Sequence, residues 1–188
     1  YKAAKSASET ENRQGNIGCG MGATVGKILG PEYSMKSGLG SASIKIGDLW
    51  VGAIVAVNSF GDVYDYEKKG ILAGTYDYKE KRLLNSYEIM KEQGKTVEFP
   101  MKNTTIGVVA TNGILSKAEA NKVAQMAQNG LARSINPIHT MYDGDTVFAM
   151  STGKVKADIS LIGTVASEIM SKAIVNAILA AESYENIL

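Results

Sequence analysis

Asn103-Thr104-Thr105 stands at the head of an apolar stretch and holds the residue type for one particular chemistry. Cutting the peptide bond before a threonine frees an α-amine beside that residue's own hydroxyl. The amine then serves as general base, so the nucleophile is activated without a histidine, a metal or an organic cofactor. That economy suits a chain whose one histidine is His139 and whose one cysteine is Cys19. A single cysteine excludes an internal disulfide. A single histidine excludes a His-rich metal site and leaves a His-based triad one candidate. His139 itself stands before a turn and reads as a local hydrogen-bonding residue. The plain alternative for Thr104 is that threonine is common in strands.

Three further groups could serve such a nucleophile. Asp143-Gly144-Asp145 sets two carboxylates close together, where they could orient a hydroxyl or hold positive charge. The same triplet is a strong turn signal, and on spacing alone the turn is the better reading. Lys27 follows a Gly-rich stretch. Asn58 ends an apolar run, where a buried amide must find a partner and, once fixed, donates well to an oxyanion. The Gly-rich segment from Gly18 to Lys27 is not a phosphate loop. Met21 stands where that loop needs its first glycine, and Ile28 where it needs a hydroxyl. Gly18, Gly20 and Ala23 match a relaxed dinucleotide fingerprint, but the residues before them are polar and helical rather than a strand. The glycines read instead as places where backbone comes close to something.

The elements that must position these residues are legible in outline. Residues 1–12 read as a helix or its tail. Gly15–Gly30 reads as an ordered loop with tight turns. Ser41–Asn58 predicts a hairpin turning at Gly47-Asp48, and the near-continuous apolar run Leu49–Val57 predicts a second strand covered on both faces. Such a strand implies layers, with helices on one side and another sheet on the other. Ile71–Tyr76 predicts a strand, and Lys79–Gly94 a surface helix or a mobile insertion punctuated by Pro100. Thr104–Thr111 predicts a second buried strand. Ser116 and Glu119 form a capping box opening a helix to Ser134, with Ala120, Val123, Ala124, Ala127 and Leu131 as its stripe; Asn136-Pro137 ends it. Thr146–Ser151 predicts a short strand. Ile159–Ala181 predicts a long helix, whose apolar residues from Ile162 to Ile178 keep three-four spacing. The order is that of an α+β layered domain rather than a run of parallel βαβ units.

The chain has 188 residues, enough for one core. Lys plus Arg is 20 and Asp plus Glu is 19, so no charge excess points to nucleic acid or an anionic membrane. No uninterrupted apolar run reaches the length of a membrane span, and no signal peptide is visible; the expected compartment is cytoplasmic. The start at Tyr1-Lys2-Ala3, without methionine, is that expected of a fragment or a processed chain.

Five blocks together resemble a known family. They are Gly15–Lys27 (GNIGCGMGATVGK), Gly38–Ser43 (GLGSAS), Val55–Val63 (VAVNSFGDV), Asn103–Asn112 (NTTIGVVATN) and His139–Ala149 (HTMYDGDTVFA). In type and order they resemble the L-aminopeptidase/D-esterase family, which includes β-peptidyl aminopeptidases and nylon-oligomer hydrolases. The resemblance implies an α+β, four-layer αββα sandwich like that of N-terminal nucleophile hydrolases, with different strand connectivity. It implies self-cleavage at Asn103–Thr104, so that 1–103 ends one subunit and 104–188 forms the other. It implies Thr104 as nucleophile, with Thr105 as the alternative one residue on. Asp143 and Asp145 would hold Thr104 and its amine. Lys27 would favour the deprotonated hydroxyl, and Asn58 would stabilise the oxyanion or position the nucleophile. Gly20, Met21 and Gly22 would line the substrate pocket, although the family more often has a small hydroxyl residue at position 21. The implied substrate is a peptide or other small amide, and the implied assembly a homotetramer. A large N-terminal portion, absent here, would supply strands and part of the pocket. An acyltransferase of the ornithine acetyltransferase type and a non-catalytic homologue are the rival readings.

Overall fold

The structure is a computed structural model that describes residues 1–8, 10–93, 103–184 and 187–188. Its helices are α1 (Lys2–Lys5), α2 (Ser86–Gln93), α3 (Lys117–Ser134) and α4 (Ile159–Leu179). Its strands begin with β1 (Thr24–Val25), β2 (Met35–Lys36), β3 (Leu39–Ile46) and β4 (Leu49–Ala56). There follow β5 (Asp62–Asp65), β6 (Gly70–Ala73), β7 (Tyr76–Asp77) and β8 (Arg82–Leu83). The last three are β9 (Ile106–Gly113), β10 (Ile135–Asn136) and β11 (Thr146–Val155). Of the expected insertion Lys79–Gly94, the structure forms β8 and α2; Gly94 and Pro100 lie outside the described residues.

One four-stranded sheet, ordered β11-β9-β4-β3, carries the molecule. The hairpin β3–β4 closes at Gly47-Asp48 with Ile46 opposite Leu49. Along β4 the sequence alternates in burial: Leu49, Val51, Ala53 and Val55 are buried, while Trp50 and Ile54 are exposed. Of the two covers expected for this strand, the described residues supply one. The buried face of β3 and β4 meets α4, and α3 packs against β11. The opposite face presents Trp50, Ile54, Ile106, Phe148 and Met150, and no described element lies over it as a second sheet. An apolar run cannot reveal how many of its faces are covered, because burial depends on what else packs there.

The strand expected from Thr104 begins two residues later, at Ile106, so Thr104 precedes the ladder rather than joining it. β9 pairs antiparallel with β4 and parallel with β11. The connection β9–α3–β11 is therefore a single parallel βαβ unit beside antiparallel β3–β4 and β4–β9 pairings, not a run of such units. α3 opens on the capping box: the Ser116 hydroxyl accepts from Glu119 N–H at 3.3 Å, and the Glu119 carboxylate accepts from Ser116 N–H at 2.7 Å.

α4 is the core helix. Ile162, Val165, Ala166, Ile169, Met170, Ala173, Ile174 and Ala177 are all buried. By length and composition alone α4 could cross a membrane, which an uninterrupted-run criterion missed because Ser, Glu, Lys and Asn break the run; here its apolar face is spent on the sheet. β3 approaches α4 at Gly40, where a Cβ would stand 2.0 Å from the Ala173 carbonyl and 2.4 Å from the Ala177 nitrogen. Helix backbone cannot yield there. Gly40→Ala is expected to destabilise the fold by about 2–3 kcal/mol, read as a lower denaturant midpoint with unchanged slope. An unmoved midpoint would show that strand and helix are not packed this closely.

A smaller sheet, β10-β5-β6, is anchored by Asp62. This buried carboxylate accepts from Thr75 N–H (2.8 Å), Ser86 N–H (2.7 Å) and the Ser86 hydroxyl (2.6 Å), tying the start of α2 to the body. Burial pushes its pKa up, against the pull of the Ser86 and Thr75 donors.

Candidate active site

The site forms where four chain segments meet at one end of the large sheet. The Gly-rich loop is pinned from below by Lys36. Its buried ammonium donates to the carbonyls of Gly20 (3.5 Å), Met21 (2.9 Å), Ala23 (3.0 Å) and Ser37 (3.2 Å). Burial lowers its pKa. Nothing in the sequence marks Lys36 for this task, since its four acceptors are backbone groups. Gly20 packs where a Cβ would sit 2.2 Å from the Leu39 nitrogen, so it is a spacing residue.

The loop delivers Lys27. Its backbone N–H bonds the Phe60 carbonyl at 2.9 Å, and its side chain is 3% exposed. The Lys27 ammonium donates to Asn58 Oδ1 at 2.6 Å, and Thr24 N–H donates to the same oxygen at 3.2 Å. Two donors on Oδ1 fix the orientation of the amide, leaving its N–H groups as the end offered elsewhere. Burial holds the Lys27 pKa down to about 8, opposed by the nearby Asp143 charge.

Asn58 also sets the next residue: its backbone carbonyl accepts from Thr104 N–H at 2.9 Å. The Thr104 hydroxyl donates to the Asn103 carbonyl at 2.5 Å. Gly144 N–H donates to that same carbonyl at 2.8 Å, and Asn103 N–H bonds the Tyr142 carbonyl at 3.0 Å. Thr105, one residue on, is fully buried.

The two carboxylates do not hydrogen-bond the Thr104 hydroxyl; they frame its surroundings. Asp143 Oδ1 accepts from Phe60 N–H at 3.2 Å, while Oδ2 accepts from the Thr140 hydroxyl (2.6 Å) and N–H (3.2 Å). Asp145 Oδ1 accepts from Thr105 N–H at 2.8 Å, and Oδ2 lies 3.1 Å from His139 Nδ1. Burial raises the Asp145 pKa, the Asp143 charge adds to this, and Thr105 N–H and His139 oppose it.

A cavity of about 420 Å³ opens beside these groups. Thr104 and Asn58 line it together with Cys19, Gly22, Ala23, Ile54 and Ile106 among others. Of the three pocket residues expected from the resemblance, Gly22 lines it. Gly20 supports the loop from behind, and Met21 is 63% exposed and not among the lining residues. Cys19, exposed, takes the place expected of Met21.

This fold has solved counterparts. The L-aminopeptidase D-Ala-esterase/amidase from Ochrobactrum anthropi, described as a new variant among the Ntn hydrolase fold, matches with a TM-score of 0.64 at 20% identity, over 96% of this chain and 48% of that one. The class is thus α+β of the Ntn-hydrolase type. The model of peptidase family S58 matches residues 1–187, and the chain belongs to that family. Among its relatives, an uncharacterized aminopeptidase of Mycobacterium leprae is 37% identical over 100% of this chain and 54% of that protein. A 6-aminohexanoate-oligomer endohydrolase of Kocuria sp. is 32% identical over 87% of this chain and 50% of its own length. The chain spans about half the length of the curated relatives it matches.

Proposed function

We propose that this chain belongs to a self-processing amide hydrolase of aminopeptidase type, with Thr104 as its nucleophile. The observation that carries the reading is that the Thr104 hydroxyl lies against the carbonyl of the bond it would cut and lines a cavity shared with Asn58. Thr105 is a poorer nucleophile, because its side chain is fully buried and is not among the residues that line this cavity.

In self-cleavage the Thr104 Oγ attacks the Asn103 carbonyl carbon. The C–N bond breaks, the hydroxyl proton passes to the departing Thr104 nitrogen, and an ester joins Asn103 to Oγ. Water hydrolyses the ester, giving an Asn103 carboxylate and a Thr104 with free amine and hydroxyl. In turnover the free amine takes the hydroxyl proton as Oγ attacks a substrate amide. The amine product leaves with that proton, and water releases the acyl group. Asn58 offers its N–H groups to the oxyanion, and the Lys27 charge, held beside Asn58, favours the alkoxide. Asp143 and Asp145 keep the 140–145 loop and the Thr105 backbone in register with the nucleophile.

Among the described residues the cavity lining carries no ionisable carboxylate, ammonium or guanidinium, so it takes the uncharged, apolar part of the substrate. The open sheet face is where the other half of the protein lays its second sheet, completing the four layers. Intact mass of the purified full-length protein tests the reading: two pieces meeting at Asn103/Thr104 support it, and one stable chain sinks it. The cavity itself is tested by its cysteine. A bulky maleimide is expected to abolish hydrolysis in the unmodified sequence and to spare Cys19→Ser. That difference isolates Cys19 from any thiol elsewhere in the protein. Full activity after complete labelling of Cys19 would place the substrate elsewhere.

A further inference from the structure

Self-cleavage needs a donor at the oxygen of the bond being cut, and Asn58 is not the group found there. Two donors converge on the Asn103 carbonyl: the Thr104 hydroxyl at 2.5 Å and Gly144 N–H at 2.8 Å. The hydroxyl is the attacking group and gives up its proton, so it cannot stabilise the oxyanion. The Gly144 amide remains. It is held there from both sides of the contact. Asn103 N–H bonds the Tyr142 carbonyl, and Asn103 bridges Asp143 in parallel register. Asp143 is itself fixed by Phe60 N–H and Thr140. The donor is therefore part of a clamped loop, as a preorganised oxyanion site requires.

Residue type agrees. A Cβ at position 144 would stand 2.9 Å from Thr104 Oγ, so only glycine brings this amide alongside the nucleophile without pressing on the hydroxyl. Gly144 is thus the middle of the Asp-Gly-Asp triplet for a reason that a turn alone would not demand.

We infer that the Gly144 backbone N–H is the oxyanion donor for cleavage of the Asn103–Thr104 bond. The inference rests on the self-processing reading above. As Oγ adds to the carbonyl carbon, negative charge gathers on the Asn103 oxygen and the Gly144 hydrogen bond strengthens. When the C–N bond breaks, the charge returns to the carbonyl of the ester. Once Asn103 leaves as a carboxylate, the same N–H is free to receive the carbonyl oxygen of a substrate amide, beside the amide end of Asn58.

The test deletes this one hydrogen. Full-length protein is made with glycolic acid in place of Gly144, which turns the 143–144 amide into an ester and adds no atom near Thr104. Cleavage before Thr104, followed by intact mass, is expected to slow about 100-fold. Cleavage within twofold of the unaltered protein overturns the inference while leaving the nucleophile untouched. Failure of the unaltered protein to cleave at all overturns the underlying reading instead. If the ester protein does not fold, the uncut Thr104→Ala chain carries the test through isotope-edited infrared of a ¹³C label in the Asn103 carbonyl. With the hydroxyl gone, a band at hydrogen-bonded frequency supports the Gly144 contact, and one at free-carbonyl frequency overturns it.

Discussion

Full-length Thr104→Ala is expected to persist as one uncut chain and to hydrolyse amide substrates about 10⁴–10⁶-fold more slowly than the processed protein. The expectation follows from how many roles converge on one side chain. Its hydroxyl is the group placed against the Asn103 carbonyl. Its nitrogen, held by the Asn58 carbonyl, becomes the free amine after cleavage. Removing the hydroxyl leaves the cavity and Asn58 in place but keeps the Asn103 carbonyl on Gly144 N–H, so neither cleavage nor turnover can begin. Thr104→Ser separates chemistry from packing: it keeps an oxygen at the same point and is expected to retain cleavage at reduced rate. Normal processing in Thr104→Ala, followed by intact mass, would remove Thr104 from the mechanism.

Lys27→Met is expected to cut the rate about 10²–10³-fold and to change the pH profile in a defined direction. The Lys27 pKa is held down to about 8, chiefly by burial. The ammonium is the form that bonds Asn58 Oδ1 and favours the alkoxide. Activity of the unaltered protein is therefore expected to fall as pH rises through about 8, and Lys27→Met to lose that alkaline limb. A rate that keeps climbing between pH 8 and 10 would exclude a charged Lys27.

Stability should move the opposite way. Between about pH 8 and the ordinary lysine value of 10.5, the native protein has released the Lys27 proton while the unfolded chain still binds it. Unfolding then takes up a proton, so stability rises with pH across that window. The burial penalty is fully present below about pH 8 and amounts to about 3 kcal/mol. Methionine removes it, at the loss of one donor to Asn58, which costs about 1–2 kcal/mol. At pH 7 Lys27→Met is therefore expected to unfold at a higher denaturant concentration than the unaltered protein, and the gap to close by pH 10. A less stable variant at pH 7 would show that the ammonium is compensated by more than Asn58.

How much of this was legible beforehand varied with the range of the interaction. The α3 capping box joins residues three apart, and the α4 stripe repeats within two turns. Both could be read directly and both are present. The hairpin at Gly47-Asp48 was equally local. Trp50 and Ile54 stand on the face that no described element covers, and an apolar run says nothing of what packs there. Lys36 was invisible, since backbone carbonyls leave no trace in side-chain pattern. The partners of the Asp pair were equally out of reach, since each carboxylate accepts from backbone and side-chain donors that its own triplet does not specify.

From sequence alone, the residue types set what chemistry was on offer: a threonine able to become its own base, a lysine, an amide and two carboxylates, with one histidine and one cysteine to compete. Only the tertiary structure decided which of them meet. Lys27 and Asn58 are 31 residues apart, and Phe60 and Asp143 are 83 apart. Their contacts depend on how the sheet stacks on α3 and α4, because loop closure over such distances is set by packing of the whole core and not by any local preference. The same packing turned Thr104 toward a cavity and buried Thr105, a difference between adjacent, identical side chains that no local preference of threonine encodes.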